Sequence, residues 1–213
     1  MTHCFSRRSF LKGSAAAAAA LTSPLLPADA AFSETENGLF SPVSALCQTQ
    51  YGPVKGREGE NGQLCWYGIP YGAAPTGESR WTAPQEPARW HAVRDCTSPA
   101  PAAYQYTTFP LGTEDCLTLD IYSSAEAKKR PVLVYLHGSA ATGSSLELPG
   151  SELVQDAGCV FVALNYRLGL FGWNCLPALT ADPDATGNFA LLDIARALDW
   201  VKENIHRFGG DAD

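Results

Sequence analysis

Two stretches of this sequence carry residues whose types and spacing could do chemistry. The first is His137-Gly138-Ser139-Ala140-Ala141-Thr142-Gly143-Ser144-Ser145, which follows the apolar run Val132-Leu133-Val134-Tyr135-Leu136. Small residues at the carboxyl end of a parallel strand let backbone N–H groups approach a ligand, and open α/β sheets bind there. Such N–H groups could stabilise a developing oxyanion, each contributing about 3–4 kcal/mol in acyl transfer. The same composition also suits a flexible polar loop, and the segment alone does not choose between them. The second stretch is Asn165-Tyr166-Arg167-Leu168-Gly169-Leu170-Phe171-Gly172, again after an apolar run. Its arginine could receive an anion. In apolar surroundings, a buried pair with a carboxylate is the favoured reading.

The elements that must position these stretches follow from periodicity. Val132–Leu136 and Val160–Leu164 are short continuous apolar runs, expected as strands buried on both faces of a parallel sheet. Residues 151–157, after the breaker pair Pro149-Gly150, are expected to form a short crossover helix. Leu191, Leu192, Ala195, Leu198, Val201 and Ile205 fall near 3.6 spacing and predict a helix over 187–208, stopped by Gly209-Gly210. Leu117 to Tyr122 alternates as a half-buried strand does. Upstream, Gln48–Lys55 and Leu64–Tyr67 are expected as the two strands of an N-terminal hairpin around the turn-rich residues 56–62. Residues 68–110, rich in proline, glycine and aromatics, read as an ordered surface excursion in which Tyr71, Trp81 and Trp90 find packing partners, as Trp66 must just before it. The sum is an α/β architecture with a mostly parallel sheet.

The chain has 213 residues, 46% hydrophobic and 17% charged, with a formal net charge of −7. That balance gives no electrostatic reason to bind nucleic acid or an anionic membrane surface. Ser6-Arg7-Arg8-Ser9-Phe10-Leu11-Lys12, the alanine run Ala15–Ala20 and the small-x-small site Ala28-Asp29-Ala30 make residues 1–30 a twin-arginine signal peptide. The apolar run is too short to span a bilayer, so no membrane span is expected after cleavage. The expected partner is the twin-arginine export machinery, and the mature chain is expected in the periplasm or outside the cell. Residues 31–213 would keep Cys47, Cys65, Cys96, Cys116, Cys159 and Cys175 in an oxidising compartment, with no pairing fixed by sequence. No cysteine or histidine spacing points to a metal, and no cofactor is expected.

Several strings together carry a resemblance. Gly68-Ile69-Pro70-Tyr71-Gly72 with Pro75, Gly77 and Arg80-Trp81 is similar to the GIPYAxPPxGxxRF stretch of type B carboxylesterases and cholinesterases. The run from Thr113 to Tyr122 resembles their SEDCLxLNIY, and Pro131 to Gly138 their PVxVxLHG. LNYRLGLFGW and GNFALLDIARALDWVKENIHRFGGD resemble NYRLGxFGF and GNxGLLDQxxALxWVxxNIxxFGGDP. The match runs from about Gly56 to Asp213, in order and spacing. It implies that residues 31–213 are the N-terminal part of a carboxylesterase type B domain, an incomplete α/β-hydrolase fold.

The resemblance also sets functional expectations. The family hydrolyses carboxylic esters through a serine acyl-enzyme, so a small-molecule carboxylic ester, small or medium in size, is the implied substrate of a full-length protein. The nucleophile turn would lie about ten residues beyond Asp211, with acid and base further on. No catalytic residue is therefore expected within this chain, which as given is expected to be inactive. Gly138, Ser139 and Ala140 are the implied oxyanion-hole backbone, although two glycines of the family's HGGGF are replaced and the loop is one residue shorter. Arg80 with Glu114 and Arg167 with Asp193 are implied as buried structural ion pairs, and Cys96 with Cys116 as a candidate disulfide. A non-catalytic binding or adhesion protein on the same scaffold, or a degenerate gene product, is the alternative. An open edge at Val132–Leu136 would make residues 31–213 alone poorly soluble.

Overall fold

The computed structural model describes residues 43–59, 61–148, 150–174, 176–179 and 187–213. The export segment, the expected cleavage site and Cys175 lie outside the described residues.

The N-terminal region folds as two short antiparallel pairs. Strand β1 (Leu46–Gln48) turns back onto β2 (Pro53–Lys55), and β3 (Arg57–Glu58) pairs with the start of β4 (Gln63–Pro70). The expected single strand Gln48–Lys55 is therefore broken. Its cause is Thr49, whose hydroxyl donates to the Gly52 carbonyl at 2.7 Å and accepts from the Tyr51 and Gly52 N–H groups. A side chain that replaces ladder bonds in this way nucleates a turn. Strand β5 (Arg94–Asp95) joins β2 in parallel, giving the small sheet β1-β2-β5.

The main sheet has the order β3-β4-β8-β10-β9, with β8 at Thr118–Ser124, β9 at Val132–Tyr135 and β10 at Val160–Leu164. Parallel pairing is confined to β9 and β10, which helix α1 (Ser151–Ala157) connects; β3, β4, β8 and β10 pair antiparallel. The sheet is thus mixed. Strand β8 is buried on both faces, not half-buried as its alternation implied, because helices cover both sides. On one face Trp66, Ile69, Leu119, Ile121, Val160, Val162 and Leu164 pack with Trp200 and Phe208. On the other, Cys65, Tyr67, Tyr122, Phe161 and Ala163 meet Val154 of α1. Strand β9 differs from β10: it is the outer strand, with Leu133 and Leu136 each 44% exposed.

After β10, the one-turn helix α2 (Gly169–Gly172) leads toward α3 (Phe189–Asn204). Helix α3 continues as a 3-10 turn to Phe208 and stops at Gly209, whose φ of +84° is left-handed. Its buried face is not the expected leucine stripe. Leu191 and Leu198 are exposed, while Phe189, Asp193, Ala197, Trp200 and Asn204 point inward. Those five recur at four, four, three and four residues, which is one helical face. Two polar residues sit in it because each has partners: Asp193 takes Arg167, and Asn204 accepts from the Gln50 N–H at 2.9 Å.

The excursion after β4 packs as the aromatics required. Trp81 stacks on Phe171, Trp90 on Tyr51, and the Tyr71 hydroxyl donates to the Asn165 carbonyl at 2.7 Å. Within it, β6 (Gln105–Tyr106) and β7 (Pro110–Leu111) form a small hairpin.

Candidate active site

The loop after β9 is held by tethers rather than by a ladder. His137 is buried, with its ring stacked on Tyr166 at a centroid distance of 4.2 Å and an interplanar angle of 7°. The Tyr166 hydroxyl donates to the His137 carbonyl at 2.5 Å and lies 3.2 Å from Nδ1. Burial lowers the His137 pKa, against a smaller opposing pull from Glu147. A neutral imidazole suits this place, since Nε2 has no partner among the described residues.

Beyond His137 the backbone opens to solvent. Gly138, Ser139 and Ala140 are exposed, and none of their N–H groups has an acceptor within the described chain. Three consecutive unpaired N–H groups at the carboxyl end of a strand make a donor cluster suited to an oxyanion. Ser139 holds a φ of +149°, in the region that favours glycine. A non-glycine residue there costs about 1–3 kcal/mol and persists only where the surroundings over-determine it. Part of the compensation is local, because Ser139 Oγ accepts from the Ala141 and Thr142 N–H groups, both at 3.2 Å.

The far side of the loop is fixed from beneath. Gly143 N–H donates to Gln105 Oε1 at 2.9 Å, and Gln105 Nε2 donates to the Gly143 carbonyl at 2.8 Å. Ala140 accepts from the Gly169 N–H at 2.7 Å, which ties the loop to α2. Ser145 N–H donates to Asn165 Oδ1 at 2.9 Å, and its hydroxyl donates to Asp120 Oδ2 at 2.7 Å. Asp120 also accepts from the Gly68 N–H at 2.8 Å, filling the irregularity that β4 makes against β8 between Trp66 and Ile69. No cation faces this buried carboxylate among the described residues, and burial raises its pKa.

The structure brings each implied ion pair together, with unequal burial. Arg167 and Asp193 are 2% and 0% exposed and meet bidentately, Nε to Oδ2 at 2.8 Å and Nη2 to Oδ1 at 2.7 Å. Arg167 Nη1 donates to the Arg80 and Thr82 carbonyls, so every guanidinium nitrogen is engaged and none is offered to an anion. Burial pushes the Asp193 carboxyl up, while the hydrogen bonds and charge of Arg167 pull it down. Arg80 and Glu114 are also bidentate, at 2.5 and 2.9 Å, but are 34% and 25% exposed rather than buried.

Cys96 and Cys116 are both buried thiols and are not joined. Cys96 is pinned beside β4 at Tyr67, whose N–H donates to its carbonyl, whereas Leu117, next to Cys116, bonds Tyr71. Burial pushes the Cys96 thiol up to about 12.

Sequence reasoning missed Gln105, Asp120, Ser145, Asn165 and Tyr166 as supports of the loop. Asn165 and Tyr166 stood in a matched string without a role. Gln105, between two tyrosines in an uncharged stretch, gave no signal.

Comparison with known proteins places this geometry in a family. Residues 43–213 match the carboxylesterase family model, and residues 4–24 match the twin-arginine translocation signal sequence. That signal addresses the chain for export, to the periplasm or the extracellular space. The para-nitrobenzyl esterase of Bacillus subtilis is 41% identical over 180 residues, covering 79% of this chain and 36% of the relative. The fumonisin B1 esterase of Sphingopyxis macrogoltabida is 38% identical over 176 residues, covering 76% and 32%. The solved carboxylesterase of Geobacillus stearothermophilus superposes with a TM-score of 0.72 at 40% identity, covering 78% of this chain and 36% of that one. The chain therefore spans about a third of the length of these relatives. Across the length that it shares with them, including the loop and its supports, the chain belongs to the carboxylesterase family.

Proposed function

We propose that these residues are the front part of an exported carboxylic-ester hydrolase, and that Gly138, Ser139 and Ala140 supply its oxyanion hole. The observation that carries this reading is the run of three exposed N–H groups without acceptors at the end of β9. Hydrogen-bond donors fixed before the reaction stabilise the tetrahedral intermediate of acyl transfer without reorganising. By family resemblance, the serine nucleophile, its acid and its base come from sequence beyond Asp213, and residues 1–213 alone do not turn over ester. Relatives named as esterases support carboxylic esters as the substrate class.

The test is labelling with a fluorophosphonate and hydrolysis of p-nitrophenyl acetate. A reading frame continuing past codon 213 is expected to do both, and residues 31–213 to do neither. One observation favours a second reading, a non-catalytic binding protein: Ser139 occupies a glycine-type φ in the loop where the family carries glycines. A continuous, folded, exported product that takes no label would establish that reading instead.

A further inference from the structure

We infer that Gln105 is a positioning residue for the 138–140 donors, an assignment that rests on the oxyanion reading of that loop. Between the His137 carbonyl, tied to Tyr166, and Ser145, tied to Asn165 and Asp120, the chain has no ladder partner. What fixes its path is the Ala140–Gly169 bond and the two-point clasp of Gln105 on Gly143. The clasp imitates a backbone pair: one carboxamide answers both the N–H and the carbonyl of the same residue, from 38 positions away. Gln105 is itself immobilised. It is 7% exposed, and Nε2 also donates to the Ala103 carbonyl at 3.1 Å.

Gly143 accepts this clasp because it is glycine. Its φ is +139°, and a Cβ there would lie 2.3 Å from His137 Nδ1. The strained φ of Ser139, four residues earlier, needs surroundings that hold it. With the clasp removed, Ser139 is free to relax, and the 138–140 N–H groups lose the positions that the loop holds them in.

The experiment uses Gln105→Ala and Gln105→Glu in the full-length reading frame. The alanine variant is expected to lose about 10- to 100-fold in kcat with KM changed less than about twofold, as misplacement of a group bonding only the transition state requires. In Gln105→Glu the carboxylate offers no donor to Gly143, whereas the protonated acid restores one donor and one acceptor. Burial raises the pKa of such a glutamate, so its kcat is expected to recover as pH falls while the parent's does not. A folded Gln105→Ala enzyme with a lower Tm and unchanged kcat would overturn the inference and leave a merely structural glutamine. If the unmodified enzyme is inactive, the oxyanion reading itself fails. Amide exchange in the same full-length product then decides the clasp alone: Gly143 should exchange at least about tenfold faster in Gln105→Ala, with Ser145 unchanged. Equal Gly143 rates would refute the clasp as well.

Discussion

Arg167 depends on Asp193 because burial keeps its guanidinium from bulk solvent. At 2% exposure the guanidinium would be left charged and buried by Asp193→Ala, a change expected to cost about 3–5 kcal/mol. Urea unfolding should show it as a lower midpoint with an unchanged slope. Replacing both partners by apolar residues of similar volume, Arg167→Met with Asp193→Leu, is expected to recover most of that loss. A double variant as unstable as the single one would show that the pair fixes the chain around Thr82 by more than mutual neutralisation. Glu114→Ala should move the midpoint little, because Arg80 and Glu114 are a third and a quarter exposed and water takes over. Gly143→Ala belongs at this scale too. Its Cβ would collide with His137, and its φ suits only glycine, so a loss of about 3 kcal/mol or more is expected by the same unfolding measurement.

At the scale of elements, Asp120 links β8, the irregular step in β4 and the loop at Ser145 with no cation among the described residues to offset its burial. Its folded pKa is raised above the ordinary 3.8. The native state therefore binds this proton more tightly than the unfolded chain does. Stability from this group is fully present below its unfolded pKa and is lost as pH rises through the raised folded value. Asn at this position keeps an acceptor for the Gly68 N–H and a donor toward Ser145 Oγ, with no charge to bury. Asp120→Asn is accordingly expected to raise the urea midpoint at pH 7, with the gain shrinking as pH approaches 4. Parallel midpoints across that range would show that the carboxylate is not the source. The same network marks where sequence reading stopped. Strand β10 was legible from its apolar run, α1 from the breaker pair before it and α3 from 3.6 spacing, while the alternation of β8 marked the strand but not its burial on both faces. The inward face of α3 was not, because Asp193 and Asn204 occupy it and leucines were counted instead. Nor was the Gln105 clasp, which joins positions 38 apart and depends on a tertiary approach that no local pattern encodes.

For the whole molecule, the decisive feature is the free side of β9. Strand β10 saturates one edge, while on the other only Arg130, just before the strand, is bridged to Gly210 among the described residues. Leu133 and Leu136 are each 44% exposed, so the open edge is apolar as well as unpaired. The composition of Val132–Leu136 revealed the apolar strand, but its place at the edge follows from sheet order, which is a property of the assembled chain. An apolar strand with unpaired N–H and carbonyl groups recruits another strand, and a lysine on it is the common natural remedy. Residues 31–213 are therefore expected to self-associate in sedimentation velocity at micromolar concentration, with the share of large species rising with concentration. Leu133→Lys places a charge on that strand and should shift the distribution toward monomer without changing the far-ultraviolet circular dichroism. A monomeric parent chain with one sharp cooperative melt would count against an exposed sticky edge. An associated Leu133→Lys sample would move the contact elsewhere, away from β9.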